Sequence, residues 1–277
     1  MSRVAPRNGG PAVPPTPREL PWGHGQHQST ATPLSGRAAL LQAALNGARR
    51  RDDHPAIPWS SADLARSAAE AVAAGAEAIH VHVRDARGAE SLDAVDVART
   101  VSALRAAVPC TPIGVSTGAW IVPNTENRHE LVERWSEYPD YASVNFDEPG
   151  SELLAALLLK RNVGIEAGVA NTTAAARLAG SGLASRCLRI LLEPQTQDLA
   201  AALHIVRDVE GVLDAAGIIL PRLLHGIDRT AWPMIGEAAR RRNQTRIGFE
   251  DTVTLPDGAP ASSNAALVAA ARRIFDA

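Results

Sequence analysis

From Leu40 onward, short β-like runs ending in Gly, Asn, Ser or an acidic residue alternate eight times with Ala/Leu-rich helical stretches. This rhythm constrains the fold more than any single motif, because strands joined by helix-length crossovers run parallel in one sheet. The strands read as Leu40–Asn46, Ala78–Val83, Pro112–Ser116, Tyr141–Phe146, Val163–Val169, Leu188–Glu193, Arg222–His225 and Thr245–Glu250. Helical patterns lie between them at 61–74, 92–107, 127–136, 150–161, 172–179, 196–215, 230–241 and 262–275. Ser60-Ser61-Ala62-Asp63, Ser91-Leu92-Asp93 and Ser262-Ser263-Asn264 read as helix N-caps. Eight β/α units within residues 38–277 match an α/β fold of the (β/α)8 TIM-barrel type. A doubly wound sheet normally carries Gly-x-Gly-x-x-Gly after its first strand, and Gly47-Ala48-Arg49-Arg50 is not that.

Residues 1–37 read differently. Proline is concentrated there among Gly, Ser, Thr and Gln, with no hydrophobic periodicity, so this stretch is expected to be a disordered tail ahead of a 38–277 catalytic barrel. It lacks the apolar core of a secretory signal. His24 and His27 are read as solvated tail residues.

Composition narrows the function. A formal net charge of −2 gives no case for nucleic acid or an anionic membrane as partner. No apolar run approaches the roughly 18–20 residues of a membrane span. Cys110 and Cys187 are far apart and outside any C-x-x-C pattern, as expected of reduced cysteines in a cytoplasmic protein. Lysine occurs once, at Lys160 beyond an Ala/Leu-rich helix, which argues against imine chemistry.

The barrel reading makes a sharp statement about polar residues. Active sites of such barrels lie at the C-terminal ends of the strands, and alternate strand residues face the axis. His80 and His82 then share the inward face, with Arg84 as a further candidate, while Ile79, Val81 and Val83 face the helices. Strand eight turns Arg246, Gly248 and Glu250 inward, the glycine being read as room for a bound molecule. Other inward candidates are Gln42 and Asn46, Gly114 and Ser116, Ser143 and Asn145, Gly164, Glu166 and Gly168, Glu193, and His225 at a strand end. His225 is read as a substrate contact or a support for other groups rather than a metal ligand. Two imidazoles and one carboxylate with an open position suit a catalytic metal. Two core histidines bonded to carbonyls, and a carboxylate paired with an inward arginine, would give the same pattern without one.

The motifs His80-Val-His82-Val-Arg84-Asp85, Gly114-Val-Ser116-Thr-Gly118, Glu166-Ala-Gly168 and Arg246-Ile-Gly248-Phe-Glu250-Asp251 together resemble the β-keto acid cleavage enzymes, typified by 3-keto-5-aminohexanoate cleavage enzyme. The resemblance runs over nearly the whole chain outside the tail. It implies a (β/α)8 barrel, usually assembled as a tetramer, that converts a β-keto acid plus acetyl-CoA into acetoacetate plus a new acyl-CoA. It further implies a divalent metal, typically Zn2+, on His80, His82 and Glu250. Arg246 and Asp251 match the family's catalytic pair, Ser116 a contact to the substrate carboxylate, and Glu166 a carboxylate near the substrate. Asp251, oriented by Arg246, is the candidate for proton transfer, although an arginine partner makes a carboxylate a weak base. Asn145 stands where the family has a threonine, and Arg49 stands about where members acting on an amino-substituted keto acid carry a glutamate. A cation there disfavours an ammonium substrate. Asn46 and His225 complete the expected substrate contacts. No phosphate-cradling loop announces the CoA site, and Thr117-Gly118-Ala119-Trp120 is a candidate path for pantetheine.

Two rival functions share these residues. One is a metal-dependent carbon–carbon lyase or hydrolase that does not use CoA; amidohydrolases also carry His-x-His, but on their first strand. The other is a non-catalytic metabolite-binding barrel, against which the inward charges of Arg246, Glu250 and Asp251 argue. Metal analysis of purified protein separates the second, and omission of acetyl-CoA separates the first.

Overall fold

A computed structural model describes residues 40–277, so the expectations for residues 1–37 lie outside the described residues. Eight strands alternate with eight helices: β1 (Leu41–Ala44), α1 (Ser61–Ala73), β2 (Ala78–Val81), α2 (Ala94–Ala107), β3 (Ile113–Ser116), α3 (Thr125–Glu133), β4 (Tyr141–Asn145) and α4 (Ser151–Lys160). The second half continues with β5 (Gly164–Val169), α5 (Thr172–Gly180), β6 (Arg189–Leu192), α6 (Leu199–Ala215), β7 (Arg222–Leu224), α7 (Ala231–Arg241), β8 (Thr245–Ile247) and α8 (Asn264–Phe275). Every strand pair is parallel, in the order β7-β6-β5-β4-β3-β2-β1-β8. The ring closes through Gln244, whose backbone exchanges hydrogen bonds with Arg222 and Leu224 at 2.9 Å each. The TIM-barrel expectation is met. Because β1 is a strand, the His-x-His motif belongs to the second strand, not the first, with His80 on it and His82 just past its end.

The helix starts follow local chemistry. Ser60 caps α1 in a full capping box with Asp63, Ser263 caps α8, and Asp93 rather than Ser91 caps α2. Strand parity then divides the barrel. Ile79, Val81, Ile113, Val115, Ala142, Val144, Ile165, Ala167, Ile190 and Ile247 pack against the helices in one apolar cluster.

The opposite faces fill the barrel axis with a buried polar layer. Gln42 donates to the Tyr141 hydroxyl at 2.9 Å and to Glu166 at 2.7 Å, and the Arg189 Nε donates to Glu166 at 2.6 Å. The Tyr141 hydroxyl in turn donates to the Ile79 carbonyl at 2.7 Å. This layer forms the floor beneath the strand ends. A methyl group at Gly114 would lie 2.0 Å from the Tyr141 ring, so the glycine is what admits the tyrosine.

Two expectations about strand eight change. The strand ends at Ile247, and residues 248–252 form a tight turn, with the Asp251 and Thr252 amides donating to the Gly248 carbonyl at 2.9 and 3.0 Å. Alternation therefore does not place Glu250. The turn does, and it buries Asp251 as well. Nor does Gly248 leave room for a ligand. A Cβ there would meet the Ala44 carbonyl oxygen at 1.9 Å, so the glycine serves the close approach of β8 to β1.

Candidate active site

At the C-terminal mouth lies a cavity of about 650 Å3. His82, Arg246, Glu250, Asn145, Arg49 and Glu193 line it, together with Asp228, Glu148, Asp147, Asp53 and Trp120. The donor atoms of His80, His82 and Glu250 all lie within 4.8 Å of one another. Glu250 Oε1 is 3.4 Å from His82 Nε2, and Oε2 is 3.7 Å from His80 Nε2. Such separations suit three ligands that each reach a shared ion at roughly 2.0–2.2 Å.

Two observations test whether these residues fit a divalent metal. Glu250 Oε2 is buried without a hydrogen-bond partner, an arrangement costly for an anionic oxygen with nothing to bind. The cavity wall also carries Asp53, Asp147, Glu148, Glu193, Asp228 and Glu250 against Arg49 and Arg246, a surplus of negative charge that a divalent cation offsets. The residues fit the metal.

Electrostatics separates the two histidines. Burial pushes His80 down to about 4, with Glu250 opposing and Arg246 reinforcing, so its imidazole is neutral. Burial acts the same way on His82, but Glu250 and Glu90 outweigh it and raise that histidine to about 9. Glu250 is held well below the usual carboxylate range: burial would raise it, but Arg246 and the two histidines prevail. Arg246 is buried too, yet Asp251 and Glu250 keep it above its ordinary value and therefore charged.

Arg246 is the hub of the mouth. Its Nη2 donates to Glu250 Oε1 at 2.8 Å and to Asp251 Oδ1 at 2.9 Å, and its Nε donates to Asp251 Oδ1 at 3.1 Å. His225 Nδ1 lies 3.2 Å from Arg246 Nε and 3.3 Å from Asp251 Oδ1. One ring nitrogen cannot accept from the first and donate to the second at once. Burial and Arg246 favour neutral His225, while Asp251 and Glu193 favour the charged ring and prevail. That direction favours the ring donating to Asp251.

The candidate residues thus divide in position. His82, Glu250, Arg246, Asn145 and Arg49 reach the cavity. Asp251 does not line it; fully buried, it grips Arg246 from behind, a place that supports positioning of Arg246 rather than the expected proton transfer. Glu166 lies in the floor layer, and its arginine partner is Arg189, not Arg246. Asn46 is a clamp: its side chain donates to the His82 carbonyl and accepts from the His82 amide, both at 2.9 Å. Ser116 and His225 are likewise buried off the cavity wall. Arg84 leaves the axis, donating to the Gly47 and Arg49 carbonyls under the Trp59 ring. Arg49 is not a lone cation, since it pairs with Asp228 and its Nε donates to the Glu250 carbonyl at 3.1 Å.

Several residues of the site escaped sequence reasoning. Arg189 shares the parity of Glu193 on β6 and was legible on that ground. Glu148 holds Asn145 at 2.9 Å and is itself gripped by Arg128 at 2.8 Å, a link across loops that no local pattern signals. Glu90, 2.5 Å from His82 Nδ1, lies eight residues along the chain and across a turn.

The chain matches the family model described as beta-keto acid cleavage enzyme over residues 39–182 and 194–277. It is 27% identical over 245 residues to 3-keto-5-aminohexanoate cleavage enzyme of Fusobacterium nucleatum subsp. nucleatum, covering 83% of this chain and 88% of that protein. To the enzyme of the same name from Acetoanaerobium sticklandii it is 27% identical over 256 residues, with the same coverage. Among solved structures, ObcA in binary complex with oxaloacetate and in ternary complex with a C4-CoA adduct and oxalate each superpose with a TM-score of 0.64. Identity there is 15%, covering 79% of this chain and 63% of ObcA, so the chain spans about three fifths of that protein's length.

Proposed function

Since the chain belongs to the beta-keto acid cleavage enzyme family, we propose that this barrel converts a β-keto acid and acetyl-CoA into acetoacetate and a new acyl-CoA. In net terms the acetyl group ends on the carboxymethyl carbon of the keto acid and the displaced acyl group on the CoA sulfur. Atoms balance with no redox change, which makes the activity an acyl transfer. The observation that carries this reading is the convergence of buried His80 with His82 and Glu250, which line the cavity beside a charged Arg246. Oxaloacetate and the C4-CoA adduct bound by ObcA are of the same chemical kind.

His80, His82 and Glu250 would hold a divalent ion, zinc being favoured by two imidazoles and one carboxylate, which would supply Lewis acidity for the keto-acid chemistry. The remaining work falls to the chain's own residues. Arg246, kept charged, faces the cavity and stabilises negative charge on the substrate. Asp251 acts through it: two hydrogen bonds fix the guanidinium plane without exposing the carboxylate. Glu166 adds negative charge beneath Arg246 from the floor, a smaller contribution than those of Asp251 and Glu250 to keeping that guanidinium charged. Asn145, held by Glu148, offers its amide to the cavity in place of a hydroxyl. Arg49 and Asp228 form one ionic wall against which the keto-acid tail is sorted.

The same reading places the enzyme in the cytoplasm, where acetyl-CoA is available, as a homotetramer. Both cysteines are free, and among the described residues no helix is long and apolar enough to cross a membrane. Steady-state assays with and without acetyl-CoA test the reaction class. Acetoacetate should form only when acetyl-CoA is present; keto-acid cleavage in its absence would assign the barrel to a lyase instead.

A further inference from the structure

The Arg84-Asp85 half of the His-x-His-x-Arg-Asp motif touches neither the metal candidates nor the cavity, yet it is tightly built. Asp85 and Gly88 form a turn: the Gly88 amide donates to the Asp85 carbonyl at 3.1 Å, and Gly88 has φ +83°. The Asp85 carboxylate accepts from the amides of Arg87 at 2.8 Å and Ala89 at 2.9 Å. Arg84 donates to the Gly88 carbonyl at 2.9 Å, tying the turn to the loop after β1. The chain then runs back antiparallel, pairing Arg84 with Glu90, with the Ser91 amide bonded to the Val83 carbonyl at 2.9 Å.

The product of this small hairpin is the placement of one carboxylate. Glu90 Oε1 lies 2.5 Å from His82 Nδ1. Trp120, from the loop after β3, donates its indole N–H to both Glu90 oxygens at 3.2 Å. The same indole stacks on the His82 ring, with centroids 6.0 Å apart and planes 25° apart. Asn46 fixes the His82 backbone from the other side. His82 is thus held at its backbone, at Nδ1 and over one ring face, leaving Nε2 directed at Glu250. His80 has no such partner: its Nδ1 is buried and unbonded.

The geometry points to Glu90 as the positioning residue of the metal centre: carried back by the Arg84–Asp85 hairpin and clasped by Trp120, it fixes the tautomer and ring orientation of His82. A carboxylate on the distal nitrogen of a ligand histidine is a known way to orient the ring and raise its basicity toward a metal. The inference rests on the proposed reading that His80, His82 and Glu250 hold a divalent ion. It gives a role to the second half of the motif, which that reading leaves idle.

Metal binding is the direct test. The wild-type full chain, Glu90→Ala, the isosteric Glu90→Gln, Trp120→Phe and the Glu90→Ala/Trp120→Phe double variant are loaded with Co2+. Affinity is read by chelator competition and site geometry by the visible Co2+ absorption. Glu90→Ala should weaken Co2+ binding roughly 10–100-fold and alter the Co2+ spectrum, with Glu90→Gln moving in the same direction. Trp120→Phe should weaken it less, and cost nothing further once Glu90 is gone. If Glu90→Ala fails to fold, Glu90→Gln decides. Wild-type affinity and spectrum in the Glu90 variants, or a Trp120→Phe loss that is unchanged without Glu90, would overturn the positioning role alone. A wild-type chain that binds no Co2+ would overturn the metal centre itself and this role with it.

Discussion

Asp251 holds Arg246 by two hydrogen bonds to a single carboxylate oxygen, at 2.9 and 3.1 Å, while lying wholly outside the cavity that Arg246 faces. The pair is one unit with one working end. Under the proposed function its carboxylate aims the guanidinium, and the guanidinium would meet the substrate. Replacing Asp251 by Asn removes the buried charge but keeps the shape. Turnover should fall on the order of 100-fold or more with bound metal unchanged. Kinetics together with metal analysis check this, and an active Asp251→Asn enzyme would refute the role.

Arg49 and Asp228 sharpen the expectation about substrate charge. A lone cation would strongly select an anionic tail; a cation already paired with Asp228 repels an ammonium group less. Across a panel of β-keto acids, those with neutral or anionic side chains should be preferred to 3-keto-5-aminohexanoate. Arg49→Glu should shift the preference toward the ammonium compound through KM. Strong wild-type preference for the amino compound would sink this assignment.

His82 couples metal binding to pH. In the metal-free protein it is raised to about 9, so below that value a proton competes with the metal for Nε2. Metal affinity should therefore rise by about tenfold per pH unit from pH 7 toward 9, with one proton released from His82 per ion bound. Calorimetry in buffers of different ionisation enthalpy reads the proton directly. The sign for folding is opposite. A histidine raised above its unfolded value stabilises the metal-free protein fully below about 6.5, and that contribution is lost as pH rises through about 9.

Glu166 and Arg189 are nearly inaccessible and bonded at 2.6 Å in the barrel floor. Removing either partner strands a buried charge, so Glu166→Ala or Arg189→Ala should lower stability by about 3–5 kcal/mol. Urea unfolding measures the loss. A change below about 1 kcal/mol would mean that the floor layer repacks or hydrates freely.

The barrel was legible because eight changes of hydrophobic period leave little topological choice. The inward histidines were legible because strand parity is strict. Parity failed where strands end. Glu250 and Asp251 sit in a turn held by the Gly248 carbonyl, and Gly248 is needed for contact with Ala44, not for a ligand. Depth was also invisible to alternation. Glu166, Ser116 and His225 lie on inward faces yet stay off the cavity wall, while Asn145 reaches it. Glu90, Glu148 and Asp228 lie outside the strands, where side-chain direction follows hydrogen bonds and ion pairs rather than alternation.

The central claim is the exchange of acyl groups between a keto acid and CoA at this mouth. Its most direct test incubates the metal-loaded enzyme with acetyl-labelled acetyl-CoA and a mixture of β-keto acids, with mass spectrometry of both products. The expected result is labelled acetoacetate together with one or a few new, unlabelled acyl-CoA species in equal amount, both lost on chelation of the metal. Label remaining wholly in acetyl-CoA while keto acids disappear, or no new acyl-CoA from any of them, would contradict it.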